Sequence, residues 1–164
     1  MAAETLTATR AAPGFPRAAH GGGILNCAYG TITVSANVED GDIFEMCLLP
    51  AGATVVGGWF YCDDLDTGAE ALDMNVGWAA NGGSGTYDSS NPTGFGNLGT
   101  LTGDPFAAGN VAVTAGLIYP FGGVLGNGDL PTFTEPTTIQ VEANTAATTL
   151  TAGNLSVVVY YVVA

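Results

Sequence analysis

Lysine is missing from this 164-residue chain, and arginine occurs only at Arg10 and Arg17. Against them stand fifteen acids, for a formal net charge of −13. No lysine or arginine follows Arg17, and the single histidine is His20. A surface so poor in cations has nothing with which to neutralise phosphates, which argues against direct nucleic-acid binding. The same lack disfavours an anionic membrane surface. The charge also has a plain reading, that like-charged molecules stay apart in solution.

Cysteine is scarce as well, with Cys27, Cys47 and Cys62 alone. An odd number cannot all pair within one chain, and no C-x-x-C spacing points to zinc. Reduced, buried or half-buried thiols are expected, in a protein folded in a cytoplasm, with Cys47 and Cys62 on neighbouring strands. The longest apolar run, LSVVVYYVVA, is too short to cross a bilayer as a helix. The first residues lack a basic start and an apolar run, so a secretory signal is not expected.

Catalytic signatures are lacking too. A Ser-His-Asp arrangement would have to use His20, and no G-x-S-x-G occurs. GGSGTYDSSNPTG is not followed by Gly-Lys-Ser/Thr, so it is no phosphate loop. Paired acids can hydrolyse glycosides, but nothing in the sequence sets two of them across a cleft. Trp59 and Trp78 could stack on sugars, although tryptophans of a β-sandwich more often fill its core. The expectation is a protein that is not an enzyme and needs no cofactor.

What is present is glycine, 25 residues of it, with much threonine, alanine and β-branched sequence. Residues 1–23 stand apart: they hold both arginines, two prolines and a closing Gly-Gly-Gly, with no hydrophobic period. They read as an extended N-terminal arm, flexible in isolation, ahead of a β-sandwich domain over 24–164.

From Ile24 onward the pattern is of strands and turns. In ILNCAYGTITVSAN the polar Thr31, Thr33 and Ser35 alternate with Ile32 and Val34. VEDGD is a turn centred on Asp-Gly. IFEMCLLP, ATVVGGWFYCDD and ALDMNVGWAA read as strands, the second with a bulge at Gly57-Gly58 and the third alternating Leu72, Met74 and Val76 with Asp73 and Asn75. A long loop follows over 81–110, with a short helical turn near DPFAAGNVAVTAG. LIYPFGGVLGNGDLP suggests an irregular strand and a turn at Asn127-Gly128-Asp129. TTIQVEAN alternates again, and LSVVVYYVVA reads as a strand central in its sheet or buried on both faces. The sum is an all-β fold: an antiparallel β-sandwich, jelly-roll-like, with an extended N-terminal arm and a long central loop.

The acid cluster Asp63, Asp64 and Asp66 is the best candidate for a bound ion, since calcium wants several carboxylate oxygens. It lacks EF-hand spacing, and an Asp-rich turn that discourages wrong edge pairing is the plainer reading. The acids as a group are expected mainly on the solvent-facing surface, away from any oligomer contact.

Residues 41–77, GDIFEMCLLPAGATVVGGWFYCDDLDTGAEALDMNVG, carry a resemblance. A Gly41-Asp42 turn leads into an apolar strand, Leu49-Pro50-Ala51-Gly52-Ala53-Thr54-Val55 turns into a second, and Asp63 to Gly68 precedes a strand ending in Val76-Gly77. This resembles a pattern of capsid decoration (cement) proteins and other small head proteins of tailed bacteriophages, and TTIQVEANTAATTLTAGNLSVVVYYVV looks like their closing hairpin. The resemblance implies a virion structural protein on the outer capsid surface, made in the host cytoplasm. It implies a homotrimer at three-fold lattice positions that binds the major capsid protein and stabilises the shell without catalysis. The arm, with Arg10, Pro13, Phe15, Pro16 and Arg17, is then the expected capsid contact, adding a strand or wrapping a neighbour. A head-fibre or receptor-binding module that recognises glycans is the alternative, served by the 81–110 loop and Trp78.

Overall fold

The computed structural model describes residues 5–7, 24–35, 37–63, 65–66, 72–95, 117–123, 125 and 127–163. These contain eight strands and no helix: β1 (Thr5–Thr7), β2 (Asn26–Val34), β3 (Ile43–Leu49), β4 (Ala53–Cys62), β5 (Asp73–Trp78), β6 (Leu117–Gly122), β7 (Thr137–Thr145) and β8 (Gly153–Val163). They form two four-stranded sheets, ordered β1-β3-β7-β5 and β2-β8-β4-β6. From β2 onward each strand lies in the opposite sheet to its predecessor. All pairings are antiparallel except that of β1, which runs parallel to β3. Thr5–Thr7 belong to the expected arm; Arg10, Pro13, Phe15, Pro16 and Arg17 lie outside the described residues. So does the segment in which a helical turn was expected.

Local chemistry sets the strand ends. Between β2 and β3, Gly41 takes φ +86, the Asp42 N–H donates to the Glu39 carbonyl at 3.1 Å, and the Glu39 N–H donates to Asp42 Oδ2 at 2.8 Å. Glycine meets the positive φ without the clash that a Cβ would bring. Between β3 and β4 the Ala53 N–H closes a turn onto the Pro50 carbonyl at 3.2 Å. Gly128 takes φ +88 in the expected Asn-Gly-Asp turn.

The core fills the space between the sheets. Phe44, Met46, Met74, Val76, Ile139 and Val141 come from one sheet, and Val55, Phe60, Leu155, Val157, Val159 and Tyr161 from the other. Each large apolar side chain so buried stabilises the fold by about 2 kcal/mol. Burial pushes the Tyr161 phenol above its ordinary pKa. Trp78, 1 % exposed, packs edge-on against Phe133 and Phe95, with ring centroids 5.4 and 5.0 Å away. Gly94 lies flat on the same indole, where a Cβ would overlap the ring. Across the sandwich, a Cβ on Gly30 of β2 would run into the Met46 carbonyl of β3.

Three expectations need correction. Cys47 and Cys62 are both buried, but on β3 and β4 they belong to opposite sheets; Cys27 is exposed rather than half-buried. Strand β5 does not alternate, since all six of its residues are buried. Asn91 exchanges backbone hydrogen bonds with Trp78 at 3.0 and 2.9 Å, and the Phe95 N–H donates to the Val76 carbonyl at 3.0 Å, so residues 91–95 run along β5 and cover it. Of the two readings of the last strand, the central one holds: β8 lies between β2 and β4, its burial alternates, and the face opposite the core is half-exposed.

Candidate functional site

The two sandwich faces that point away from the core differ in chemistry. Strand register sets the side chains of the β2-β8-β4-β6 face in rows. Tyr29 opposes Val158, Val158 opposes Trp59, and Trp59 opposes Pro120, so one apolar row crosses all four strands. Tyr29 is 47 % exposed and Trp59 42 %. In the next row Thr31 and Ser156 share a hydroxyl hydrogen bond of 2.8 Å, beside Tyr61. Beyond it come Thr33, which donates to Asn154 Oδ1 at 2.9 Å, and Asp63. Trp59, Tyr61, Ser156 and Val158 line an open groove of about 380 Å³.

A tryptophan faces outward here because of a bulge. Ala53 and Val55 point into the core, but the register shifts between Val55 and Gly57, so Gly58, Phe60 and Cys62 point inward next. One extra residue exchanges the faces of everything after it. Trp59 is thereby turned out, while Trp78 is the core tryptophan. The Gly57-Gly58 pair was the signal in the sequence that could have revealed this.

The polar end of the face is fully tied. Asp63 accepts the Tyr61 hydroxyl at 2.6 Å and both the backbone N–H and the side-chain amide of Asn154, at 2.7 and 3.0 Å. The Tyr61 bond chiefly lowers the Asp63 carboxyl below its ordinary pKa, and the same bond raises the Tyr61 phenol. Asp63 and Asp66 do not converge on one site. Asp66 is completely buried and accepts backbone N–H groups from Leu72 at 3.2 Å, Thr148 at 3.0 Å and Thr149 at 2.9 Å. Asp64 lies outside the described residues. Among the described residues no group of three or more His, Cys, Asp or Glu side chains is placed to hold a metal ion.

The opposite face, on β1-β3-β7-β5, is polar and acidic. Glu45 pairs across strands with Gln140, and Glu142 with Asn75, whose amide donates to it at 3.4 Å. Thr7 of β1 donates to Glu45 at 2.5 Å. Asp73 takes the Asn144 amide at 2.8 Å. The expectation that the acids lie mainly at the surface fails for Asp42, Asp66, Asp73 and Asp88, all of which are buried. A buried carboxylate is tolerated where donors surround it, and Asp66 and Asp88 each accept several.

No family model matches the sequence, and no curated protein matches it. Solved structures do. A chain in the capsid of Ralstonia phage GP4 is similar at TM-score 0.69 and 22% identity, covering 98% of this chain and 98% of that one. A chain in the capsid asymmetric unit of cyanophage Pam1 is similar at TM-score 0.58 and 27% identity, covering 92% of this chain and 93% of that one. The fold is thus an all-β sandwich shared with chains of phage capsids.

Proposed function

We propose that this protein is a structural component of a tailed-phage virion. On this reading it is a decoration (cement) protein on the outer capsid surface that binds the major capsid protein and stabilises the shell as a homotrimer at three-fold positions. The observation that carries the reading is the likeness, along nearly the whole chain, to a chain of the cyanophage Pam1 capsid. The crossing of every connection from β2 onward between the two sheets supports the jelly-roll-like wiring that belongs to it. A face rich in aromatic and apolar side chains, with one acid at its rim, supports a role built on protein contacts rather than on chemistry. The arm residues Arg10, Pro13, Phe15, Pro16 and Arg17 remain the proposed capsid contact, as the only cationic segment of an acidic chain.

Co-sedimentation tests this reading. Full-length protein should sediment with shells assembled from the major capsid protein of the same virus, and should raise their melting temperature. Removal of residues 1–20 should abolish sedimentation while the circular dichroism spectrum of the sandwich persists. Truncated protein that still decorates shells would overturn the role of the arm, and full-length protein that stays in the supernatant would overturn the decoration role itself.

The glycan-binding alternative has one supporting observation, the exposed Trp59 beside Tyr61 in an open groove. Of the residues expected to serve it, Trp78 is buried, and in the described part of the 81–110 loop Phe95 is buried and Tyr87 half-buried; residues 96–110 lie outside the described residues. A glycan array with no signal would close it.

A further inference from the structure

We infer that the outer face of β2-β8-β4-β6 is the surface through which copies of this chain associate, three copies turning it toward a common axis. The inference rests on the homotrimeric reading above and adds to it the face, the residues and the reason.

The reason is electrostatic. A second copy of the chain necessarily carries the same charge of −13. Like charges brought together at a contact oppose it, the more so as water leaves. Copies meeting through the β1-β3-β7-β5 face would bring Glu45 and Glu142 against their own images. Among the described acids only Asp63 lies on the β2-β8-β4-β6 face. It sits in the last row and is already bonded to Tyr61 and Asn154. A partner of opposite charge would gain more from the acidic face, whereas an identical partner is tolerated only where charge is absent.

Size and composition agree. Four strands about 5 Å apart and about nine residues long span a face of the order of 600 Å². One side of a standard interface is about 800 Å². Aromatic side chains are enriched at the centre of such contacts, and Tyr29 and Trp59 stand in one row here. They flank Val158 from β2 and β4, the strands on either side of β8. When the Trp59 side of one copy meets the Tyr29 side of the next, the contact is head-to-tail, and it closes into a ring of three when successive copies are related by a third of a turn.

Light scattering on the full chain tests this, with Trp59→Glu and Val158→Glu on the face and Glu135→Lys on a distant exposed loop as the control. Wild type and control should have three times the chain mass. Each face variant should have the mass of one chain at a concentration where wild type is fully assembled, at least a 100-fold loss of association, with an unchanged circular dichroism spectrum. Should either face variant fail to fold, acrylamide quenching of wild type decides: Trp59 should be shielded at high concentration and become accessible on dilution. A wild-type mass of one chain, face variants that keep the three-chain mass, or a Trp59 accessible at every concentration would each overturn the inference. Co-sedimentation keeps the two proposals apart. Face variants that stay trimeric but no longer sediment with shells would assign this face to the shell protein, against the inference and in favour of the decoration role. A wild-type trimer split by these substitutions that never binds shells would do the reverse.

Discussion

Asp88 and Thr134 are bonded twice: the Thr134 N–H donates to Asp88 Oδ1 at 3.0 Å, and its hydroxyl donates to Oδ2. The Gly85 N–H at 2.6 Å and the Asn81 amide at 2.7 Å complete the set. Asn81 also reaches Thr137 Oγ1 at 2.7 Å. One buried carboxylate thus fastens the segment after β5 to the segment that enters β7.

These donors, the Thr134 hydroxyl foremost and then Asn81, lower the Asp88 pKa to about 2. An acid whose folded value is depressed contributes its stability above the unfolded value of about 3.9 and loses it as pH falls toward the folded one. The advantage of wild type over Asp88→Asn in melting temperature should therefore be full above about pH 4 and shrink as pH approaches 2. Thermal melts of both proteins across that window measure it, and a gap that does not change with pH would refute the assignment.

Asp66 is the counterpart at the other end of the sandwich, receiving three backbone N–H groups. Asp66→Ala leaves those donors buried without an acceptor, at a cost of about 1–3 kcal/mol for each one left unsatisfied. Urea denaturation should show a loss of about 3 kcal/mol or more with little change in slope. A loss below about 1 kcal/mol would mean that water takes the place of the carboxylate.

Gly94 and Trp78 are coupled by contact. Gly94→Ala drives a Cβ into the indole, an overpacking worth about 1–3 kcal/mol. Trp78→Phe removes the indole N–H that bonds the Ser89 carbonyl at 3.0 Å, but makes room. The double variant should lose less than the sum of the two single losses, and a double-mutant cycle reads the difference.

Gly30→Ala should be harsh for so small a change, because Gly30 is buried and its Cβ would strike the Met46 backbone rather than a yielding side chain. A fall of several degrees in melting temperature is expected, against little change for Thr31→Ala next to it.

Period and turn chemistry made much of the sandwich legible. Thr31 and Thr33 alternating with Ile32 and Val34 gave β2, Asp40-Gly41 gave the turn before β3, and Gly57-Gly58 gave the bulge. Those signals are local. What was not legible depends on partners far along the chain. Asp66 looks like a surface acid in an Asp-rich turn until Thr148 and Thr149 supply donors from more than 80 positions away. The alternation of β5 was a sound local reading, undone by residues 91–95 lying beside it. The apolar outer row was invisible because its members come from four strands, and only the register shift at Gly57 sets Trp59 in line with Tyr29 and Val158.

Strand β8 lies between β2 and β4, and it is the last of the described strands in chain order. Nothing else joins those two neighbours within their sheet. During synthesis, therefore, β2 and β4 wait without their common partner until Gly153–Val163 has left the ribosome. The sandwich closes late, through pairings that span 93 to 135 positions, a route that is slow and leaves open edges vulnerable to wrong pairing. The acidity of the chain has a kinetic use in that interval: nascent copies made side by side repel one another until each has its own β8 in place.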